Sequence, residues 1–244
     1  VMTDERLYRD EPHGERVPIR RFMNPEYEPE GQTMLGEEQF RWLVDEVESS
    51  EHTWKLWANE VLTVPFKLGA GPLTFYPTNT GWDGFMQERQ RLFEALDEAD
   101  VSNFVTLSGD MHCYLAGYQQ TAYDDSLGRL VTGEGADPST RVGVEFMTPA
   151  MTSINFAEAA NVDDGWRGRL TEPLLSRGTT WQNPHVEFFD SHHWGYSTVE
   201  LTPEKCTYTA YAVDKTTNSA TAERERLARF SVPEGRVELV DETT

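Results

Sequence analysis

The order of the regular segments constrains the fold of this chain more than any other feature of its sequence. In the first part, apolar strands alternate with amphipathic helices over 36–50 and 84–98. The apolar residues of the first helix stand at i, i+3, i+4 and i+7, and those of the second are Phe85, Leu92, Phe93 and Leu96. From residue 185 onward, short β-type runs follow one another. Helix–strand units followed by strands predict an α/β sandwich, related to the α/β/β/α type, instead of a doubly wound parallel sheet.

The predicted strands are short runs rich in β-branched and aromatic residues. They cover 53–58, 101–107, 114–122, 142–148, 185–189, 196–201, 206–213 and 227–232. Between these, residues 153–175 are predicted to be helical or irregular. No Pro-rich or Ser-rich linker divides the chain, so we predict one domain over 1–244.

The composition indicates a folded protein with a strongly acidic surface. The chain has 244 residues, a formal net charge of −21, and 38% apolar and 11% aromatic residues. This length allows a hydrophobic core without disulfides, and disordered acidic tails lack such an aromatic content. The charge argues against a nucleic-acid partner, because phosphate neutralisation requires a basic face. No apolar run is long enough for a membrane span.

The basic residues are dominated by arginine, and only four lysines are present. An excess of Asp and Glu with few lysines is typical of a salt-adapted (halophilic) or high-GC source. A merely acidic soluble surface explains the same numbers equally well. The two cysteines form no disulfide framework, so they do not indicate the redox compartment.

The most informative stretch for function is Ser108-Gly109-Asp110-Met111-His112, which directly follows the apolar strand over 101–107. Glycine lets the backbone turn sharply without a Cβ penalty. If the chain stays extended after Gly109, the side chains of Asp110 and His112 point to the same side. They would then lie beyond the end of a central strand, where open α/β sheets bind ligands.

A carboxylate beside an imidazole is a donor pair for a metal ion. Together they suit zinc, iron, manganese or nickel, and the carboxylate alone suits calcium or magnesium. Because a metal needs at least three or four donors, Asp110 and His112 do not form a complete site. From the spacing alone, it stays open whether Asp110 caps the following turn and His112 is an ordinary polar neighbour.

Several short motifs, taken in order, resemble the C-terminal half of the PhoD-type alkaline phosphatases and phosphodiesterases of the calcineurin-like metallophosphoesterase superfamily. Each motif is weak alone, but their shared order over most of residues 1–200 is specific. The segments that carry the resemblance are Thr3–Asp10 (TDERLYRD), Met34–Leu43 (MLGEEQFRWL), Trp54-Lys55, Trp82–Arg89 (WDGFMQER), Ser108–His112 (SGDMH), Gly143–Phe146 (GVEF) with Thr152-Ser153, Asn183–His185 (NPH) and Gly195-Tyr196.

The resemblance implies metal-dependent hydrolysis of phosphodiesters or phosphomonoesters, with phospholipase D-like cleavage as a variant. Paired metals in this superfamily polarise the phosphoryl oxygen and lower the pKa of a bound water. By resemblance, Asp110 and His112 each bind one of two or more metals. PhoD-type enzymes use iron and calcium, which implies iron at His112 and calcium at Asp110, although other divalent metals remain open.

The chain departs from the family pattern in one respect. Family members also take metal ligands from a first half that contains a ligand Cys, a G-D-x-x-Y segment and a D-D-H-E stretch, and neither of these two motifs occurs here. We therefore expect residues 1–244 to be a C-terminal half that is completed by a separate N-terminal chain or fragment. The alternative is a non-catalytic half-domain or interaction subunit with an incomplete metal site.

Two further candidates precede or follow the first predicted strand. Arg6, in the TDERLYRD segment, is a candidate for bracing a phosphate, and the alternative is a surface pair with Asp4 or Asp10. Asn59 follows the predicted strand over 53–58 and is a candidate for facing the site, whereas its alternative role is to cap the loop.

The remaining candidates lie on the later strands and before the second helix. Glu145 is predicted either to accept a hydrogen bond from a ligand histidine or to be a satisfied structural carboxylate. His193, beside His192, is a candidate catalytic proton donor, or an ordinary polar loop residue. Asp83 is predicted to cap the helix over 84–98.

No signal peptide is visible at the start of this sequence. Members of the resembled family are often exported by the twin-arginine route. The resemblance therefore implies an extracellular or periplasmic location.

Overall fold

Two amphipathic helices cover one face of a mixed sheet because their apolar residues fall on one side of each helix. In the computed structural model, α1 (Glu37–Glu48) buries Phe40, Leu43 and Val47. Helix α2 (Met86–Glu98) buries Leu92, Phe93 and Leu96. Both helices were expected from their amphipathic patterns, and their observed bounds lie inside the predicted ranges. The structure describes residues 1–12, 29–69, 75–78, 80–123, 137–163, 165–215 and 222–244.

The first sheet has five strands in the order β1-β2-β4-β3-β5. Strands β1, β2 and β4 are parallel, and β3 runs antiparallel to both β4 and β5. The strands are β1 (Lys55–Ala58), β2 (Phe104–Ser108), β3 (Tyr114–Gln120), β4 (Arg141–Met147) and β5 (Val186–Asp190). This register places the ends of β1, β2, β4 and β5 and the start of β3 along one sheet edge.

The second sheet contains four antiparallel strands in sequence order. They are β6 (Gly195–Leu201), β7 (Lys205–Val213), β8 (Arg224–Pro233) and β9 (Val240–Asp241). The β6–β7 turn lies between the predicted strands over 196–201 and 206–213, and in it the Thr202 N–H donates to the Lys205 carbonyl at 2.9 Å.

The two sheets pack face to face through a shared apolar cluster. Phe146 of the first sheet stacks on Tyr208 of the second with ring centroids 4.4 Å apart. On the opposite face of the first sheet, Trp57 and Phe104 pack with the residues of α1 and α2. The resulting helix, sheet and sheet layers confirm the predicted α/β sandwich with a mixed sheet.

The range 153–175, expected to be helical or irregular, contains helix α3 (Phe156–Ala159) and the first part of helix α4 (Gly165–Gln182), which continues beyond it. Helix α3 begins with a capping box between Asn155 and Glu158. Helix α4 packs beside β5 and continues through Pro173. Among the described residues, none of the helices combines the length and the apolar composition that a membrane span requires.

Candidate functional site

The polar loops that contain several of the candidate residues lie along one edge of the five-stranded sheet. Because β1, β2, β4 and β5 all end at this edge, the chain leaves it into Asn59, Gly109, Thr148 and Ser191. The carboxyl ends of such strands are the usual position of binding sites in open α/β sheets. We call this region the strand-end edge.

The backbone at Asp110 and His112 is left-handed, with φ values of 71° and 55°. The extended conformation expected from the i, i+2 spacing is therefore wrong. The Met111 N–H donates to the Gly109 carbonyl at 2.9 Å, so the chain turns tightly between β2 and β3. Left-handed backbone at residues other than glycine carries strain, which structures retain most often at functional sites.

Asp110 is half-exposed, and its carboxylate pairs with the guanidinium of Arg6. The Arg6 Nη2 donates to Asp110 Oδ1 at 2.6 Å. The predicted alternative partner Asp4 instead accepts the backbone N–H of Arg6 at 2.9 Å. Arg6 thus lies directly against the first candidate metal ligand.

The imidazole of His112 is oriented by the carbonyl of Ile154, which faces its Nδ1. Because a carbonyl oxygen only accepts hydrogen bonds, Nδ1 carries the proton and Nε2 keeps its lone pair in the neutral ring. The His112 carbonyl also accepts the Phe156 N–H at 3.2 Å. Metal-binding histidines are typically fixed in this way, with the second nitrogen donating to a backbone carbonyl.

The segment that follows β4 connects His112 to the loop after β5. Asn155 Nδ2 donates to the His192 carbonyl at 2.6 Å, and the Ala157 N–H donates to the Ser191 carbonyl at 3.1 Å. The histidine-bearing loops after β2 and β5 are therefore held by the same short segment.

His193 forms an ion pair with Asp190 in the loop after β5. Its Nδ1 lies 2.8 Å from Asp190 Oδ2, and the backbone N–H groups of His192 and His193 donate to Oδ1. The hydrogen bond with Asp190 raises the pKa of His193 above its ordinary value, although burial opposes the shift. Burial disfavours the Asp190 anion, but His193 and the N–H groups outweigh burial and lower its pKa.

Glu172, on α4, completes a cluster with Asp190 and His193. One possible ligand atom from each lies within 4.8 Å of the others, so the three together have donors for one cation. Sequence reasoning named His193 but missed both carboxylates. Asp190 carried a usable signal because it follows a predicted strand, whereas Glu172 comes from a helix that only the fold brings close.

Glu145 is fully buried below the strand-end edge and accepts hydrogen bonds from its surroundings. The donors are the Thr63 N–H and hydroxyl, the Val64 N–H at 2.9 Å and the Ser108 hydroxyl at 2.6 Å. Burial raises the pKa of Glu145, although these hydrogen bonds oppose the shift. Among the described residues these donors include no histidine, and Ser108 links Glu145 to the turn with Asp110 and His112.

Asn59 and Asp83 are turned into the interior. Asn59 Nδ2 donates to the Val61 carbonyl, and its Oδ1 lies 3.5 Å from Trp82 Nε1, so the side chain holds the loop after β1. Asp83 does not cap α2, so that prediction is wrong: its carboxylate forms a buried ion pair with Arg89 at 2.9 Å. The intervening turn at Trp82–Gly84 moves the helix start to Met86.

Residues 1–210 match a protein-family model described as PhoD-like phosphatase. Alkaline phosphatase D of Bacillus subtilis (strain 168) is 25% identical over 207 residues, which make up 84% of this chain and 30% of that protein. A solved structure of PhoD superposes with a TM-score of 0.70 and 20% identity, over 99% of this chain and 41% of the other. The chain thus spans well under half the length of these relatives.

Proposed function

Since the chain belongs to the PhoD-like phosphatase family, we propose that it takes part in metal-dependent hydrolysis of phosphate esters and supplies Asp110 and His112 as metal ligands. The observation that carries this proposal is the turn after β2. There, a half-exposed carboxylate and an imidazole with a preset tautomer follow a central strand.

The donors present fit a metal ion. His112 offers Nε2 because Nδ1 is committed to the Ile154 carbonyl, and Asp110 keeps Oδ2 beside the oxygen that Arg6 contacts. By ligand preference, His112 suits iron and Asp110 suits calcium, as the family resemblance implies. A bound metal would supply Lewis-acid polarisation of the phosphoryl group and activation of water.

Arg6 and His193 have roles that follow from their partners. Arg6 lies on the Asp110 carboxylate, so its guanidinium is placed to bind a phosphate oxygen beside that ligand. The Nδ1 of His193 is held by Asp190, and the raised pKa favours the protonated ring. His193 would therefore donate its Nε2 proton to the oxygen of the departing alcohol.

Two ligands do not complete a metal centre, so the proposal includes further ligands from sequence outside residues 1–244. These come from an N-terminal chain or fragment of the same protein, which is consistent with the partial coverage of the relatives. A denaturing mass spectrum of an active sample tests this point. Activity from a sample that contains this chain alone would contradict it.

We propose that the substrate is a phosphodiester, including lipid headgroup diesters cleaved in the phospholipase D manner. We also propose that the protein is extracellular or periplasmic. Both rest on the family relationship. Assays with a diester and the matching monoester distinguish the two activities, and cell fractionation tests the location.

The central experiment replaces Asp110 and His112 separately by alanine in the intact gene product. We expect each change to lower diester hydrolysis at least about 1,000-fold, within the range by which catalytic groups accelerate reactions. Metal content, measured by inductively coupled plasma mass spectrometry, should fall with activity. Asp97→Ala and His52→Ala remove an exposed carboxylate and an exposed imidazole away from the strand-end edge and serve as matched controls.

Retention of more than a few per cent of activity in either variant would argue against direct ligation. If the wild-type protein holds no tightly bound metal and hydrolyses no ester, the chain is instead a non-catalytic half-domain or interaction subunit.

A leaving-group series tests His193. Replacement by glutamine should slow hydrolysis of esters of alkyl alcohols by about 100-fold, the usual contribution of general acid catalysis. Esters of nitrophenol should change little, because nitrophenolate departs without a proton. An equal loss for both substrates, together with loss of bound metal, would show that His193, Asp190 and Glu172 hold a cation instead.

A further inference from the structure

Helix α4 turns its large apolar side chains away from the protein. Trp166 is 70% exposed, Leu170 56%, Leu174 69% and Trp181 46%. At 3.6 residues per turn these four positions fall within an arc of about 80°. Four of the thirteen exposed large apolar side chains among the described residues therefore form one stripe on a single helix.

Apart from the partly buried Leu175, the inward face of α4 is small and polar. Thr179 and Gln182 are buried there, and Thr171 lies beside His192, with its hydroxyl 3.3 Å from Nε2. Glu172 faces Asp190 and His193. A surface helix of a globular protein normally has the reverse polarity, with its apolar stripe facing the core. This inversion indicates that the outer stripe is apolar because it contacts something other than solvent.

The charge beside the stripe is positive, in contrast to the chain as a whole. Helix α4 contains Arg167, Arg169, Arg177 and one acidic residue, Glu172, whereas the whole chain has a net charge of −21. All three arginines are exposed, and Arg177 projects from the same arc as the apolar side chains. Tryptophan and leucine flanked by arginine are typical of helices that lie in the interface of an anionic membrane.

Helix α4 lies far from the β1 edge of the first sheet. Val1–Thr3 pair with the outer side of β1, because the Ala58 N–H donates to the Val1 carbonyl and the Thr3 N–H to the Ala58 carbonyl. Helix α4 packs beside β5, at the other end of the strand order. A segment that extends the sheet beyond Val1–Thr3 would therefore not cover the stripe.

We propose that the outer face of α4 docks on an anionic phospholipid surface. Its tryptophans and leucines would enter the interface while its arginines contact lipid phosphates. The acidic remainder of the chain does not prevent this, because at physiological ionic strength charges are screened beyond about 8 Å. A second copy of the chain is a poorer occupant, since a symmetric pair would bring the arginine-bearing faces of two α4 helices together.

Docking would hold the strand-end edge next to the lipid headgroups, because Thr171 and Glu172 on the inner face contact the loop after β5. Only this consequence rests on the proposed function. Binding to lipid does not, so hydrolysis of a soluble ester and sedimentation with vesicles are measured separately.

The test is co-sedimentation of the intact gene product with vesicles of phosphatidylglycerol and phosphatidylcholine, compared with phosphatidylcholine alone. We expect binding to the anionic vesicles that weakens as salt is raised. The pair Trp166→Gln and Leu174→Gln should reduce partitioning at least about tenfold. The pair Arg167→Gln and Arg177→Gln should reduce it about 30-fold.

Trp42→Gln and Arg236→Gln are the matched controls, since each removes an exposed side chain of the same type elsewhere. All variants should hydrolyse a soluble ester like the wild type. The proposal is overturned if the wild type stays in the supernatant at low salt, or if the α4 variants sediment unchanged. It is also overturned if light scattering shows a dimer that the α4 variants abolish, because a second copy then covers the stripe.

Discussion

Glu145 lies on β4 and Asp110 in the turn after the neighbouring strand β2, and the surroundings of these two acidic residues are opposite. Glu145 is fully buried and accepts hydrogen bonds from Thr63, Val64 and Ser108. Asp110 is half-exposed, has a left-handed backbone conformation and forms an ion pair with Arg6. The oxygens of the buried carboxylate accept hydrogen bonds that stabilise the fold, whereas the exposed carboxylate has one oxygen available to a ligand.

The difference between these two positions shows how the edge is built. A buried layer of fully partnered polar groups, which includes Glu145 and the Asp83–Arg89 pair, holds the loops at the ends of β1 and β2. The exposed turn with Asp110 and His112 rests on that layer. Changes in the layer should therefore alter stability, and changes in the turn should alter activity.

The largest effect on stability is expected from Arg89→Met, which leaves the buried Asp83 carboxylate without its cation. Breaking a buried ion pair on one side typically costs about 3–5 kcal/mol. Urea denaturation measures the loss. Arg91→Met is the matched control, since Arg91 pairs with Glu37 at the surface, and a similar loss in both variants would remove the distinction between the buried and exposed pairs.

A pH-dependent effect is expected at Glu5, which is buried beside the exposed Arg6. Burial raises the pKa of Glu5 from 4.5 to about 7. Because the folded state binds the proton more tightly, the stability that Glu5 contributes is fully present below pH 4.5 and is lost as the pH rises through 7.

This contribution amounts to about 3 kcal/mol at 1.36 kcal/mol per pKa unit. Burial lowers the pKa of His185 to about 3, which gives the opposite slope, since that contribution is lost as the pH falls below 6.5. The measurement is therefore the unfolding free energy of wild type minus Glu5→Gln at pH 4.5 and 7.5. A difference that does not decrease with pH would contradict the assignment.

Glu145→Gln should destabilise the protein by about 2–3 kcal/mol. The amide nitrogen cannot accept the hydrogen bonds of Ser108, Thr63 and Val64, so at least one buried donor loses its partner. Thermal unfolding measures the loss, and Glu238→Gln in an exposed pair with Arg236 is the control. Unchanged stability would mean that Glu145 is protonated and already donates a hydrogen bond.

The smallest expected effect is at the strained turn. Asp110→Gly should be about 1 kcal/mol more stable than Asp110→Ala, because glycine adopts left-handed backbone without a Cβ penalty. Both variants should be inactive. The ranking by urea denaturation separates backbone strain from loss of the carboxylate, and equal stability would show that the turn relaxes.

The sheet and both core-facing helices follow from the sequence because their patterns are local. The apolar repeat marks α1 and α2, and the strand before Gly109 marks the position of Asp110 and His112. The left-handed turn does not follow, since its conformation depends on the reversal between β2 and β3. Spacing along the chain indicates which residues are near each other, but not how the backbone turns.

The interaction partners of the candidate residues do not follow from the sequence. Asp83 looked like a helix cap because it precedes an amphipathic helix, but Arg89, six residues later in the first turn of α2, forms the buried ion pair with it. Glu172 meets Asp190 only because α4 packs beside β5. Helix α4 itself gave a weak signal, since its apolar residues do not face the core.

The segment at Ile154–Ala157 has a consequence for the entropy of ligand binding. It contacts the His112 ring and carbonyl on one side and the Ser191 and His192 carbonyls on the other. The two histidine loops are therefore ordered when the chain folds, not when a ligand arrives. The conformational entropy of the two loops is therefore lost on folding and not on binding, so a ligand that contacts both loops binds a preorganised edge.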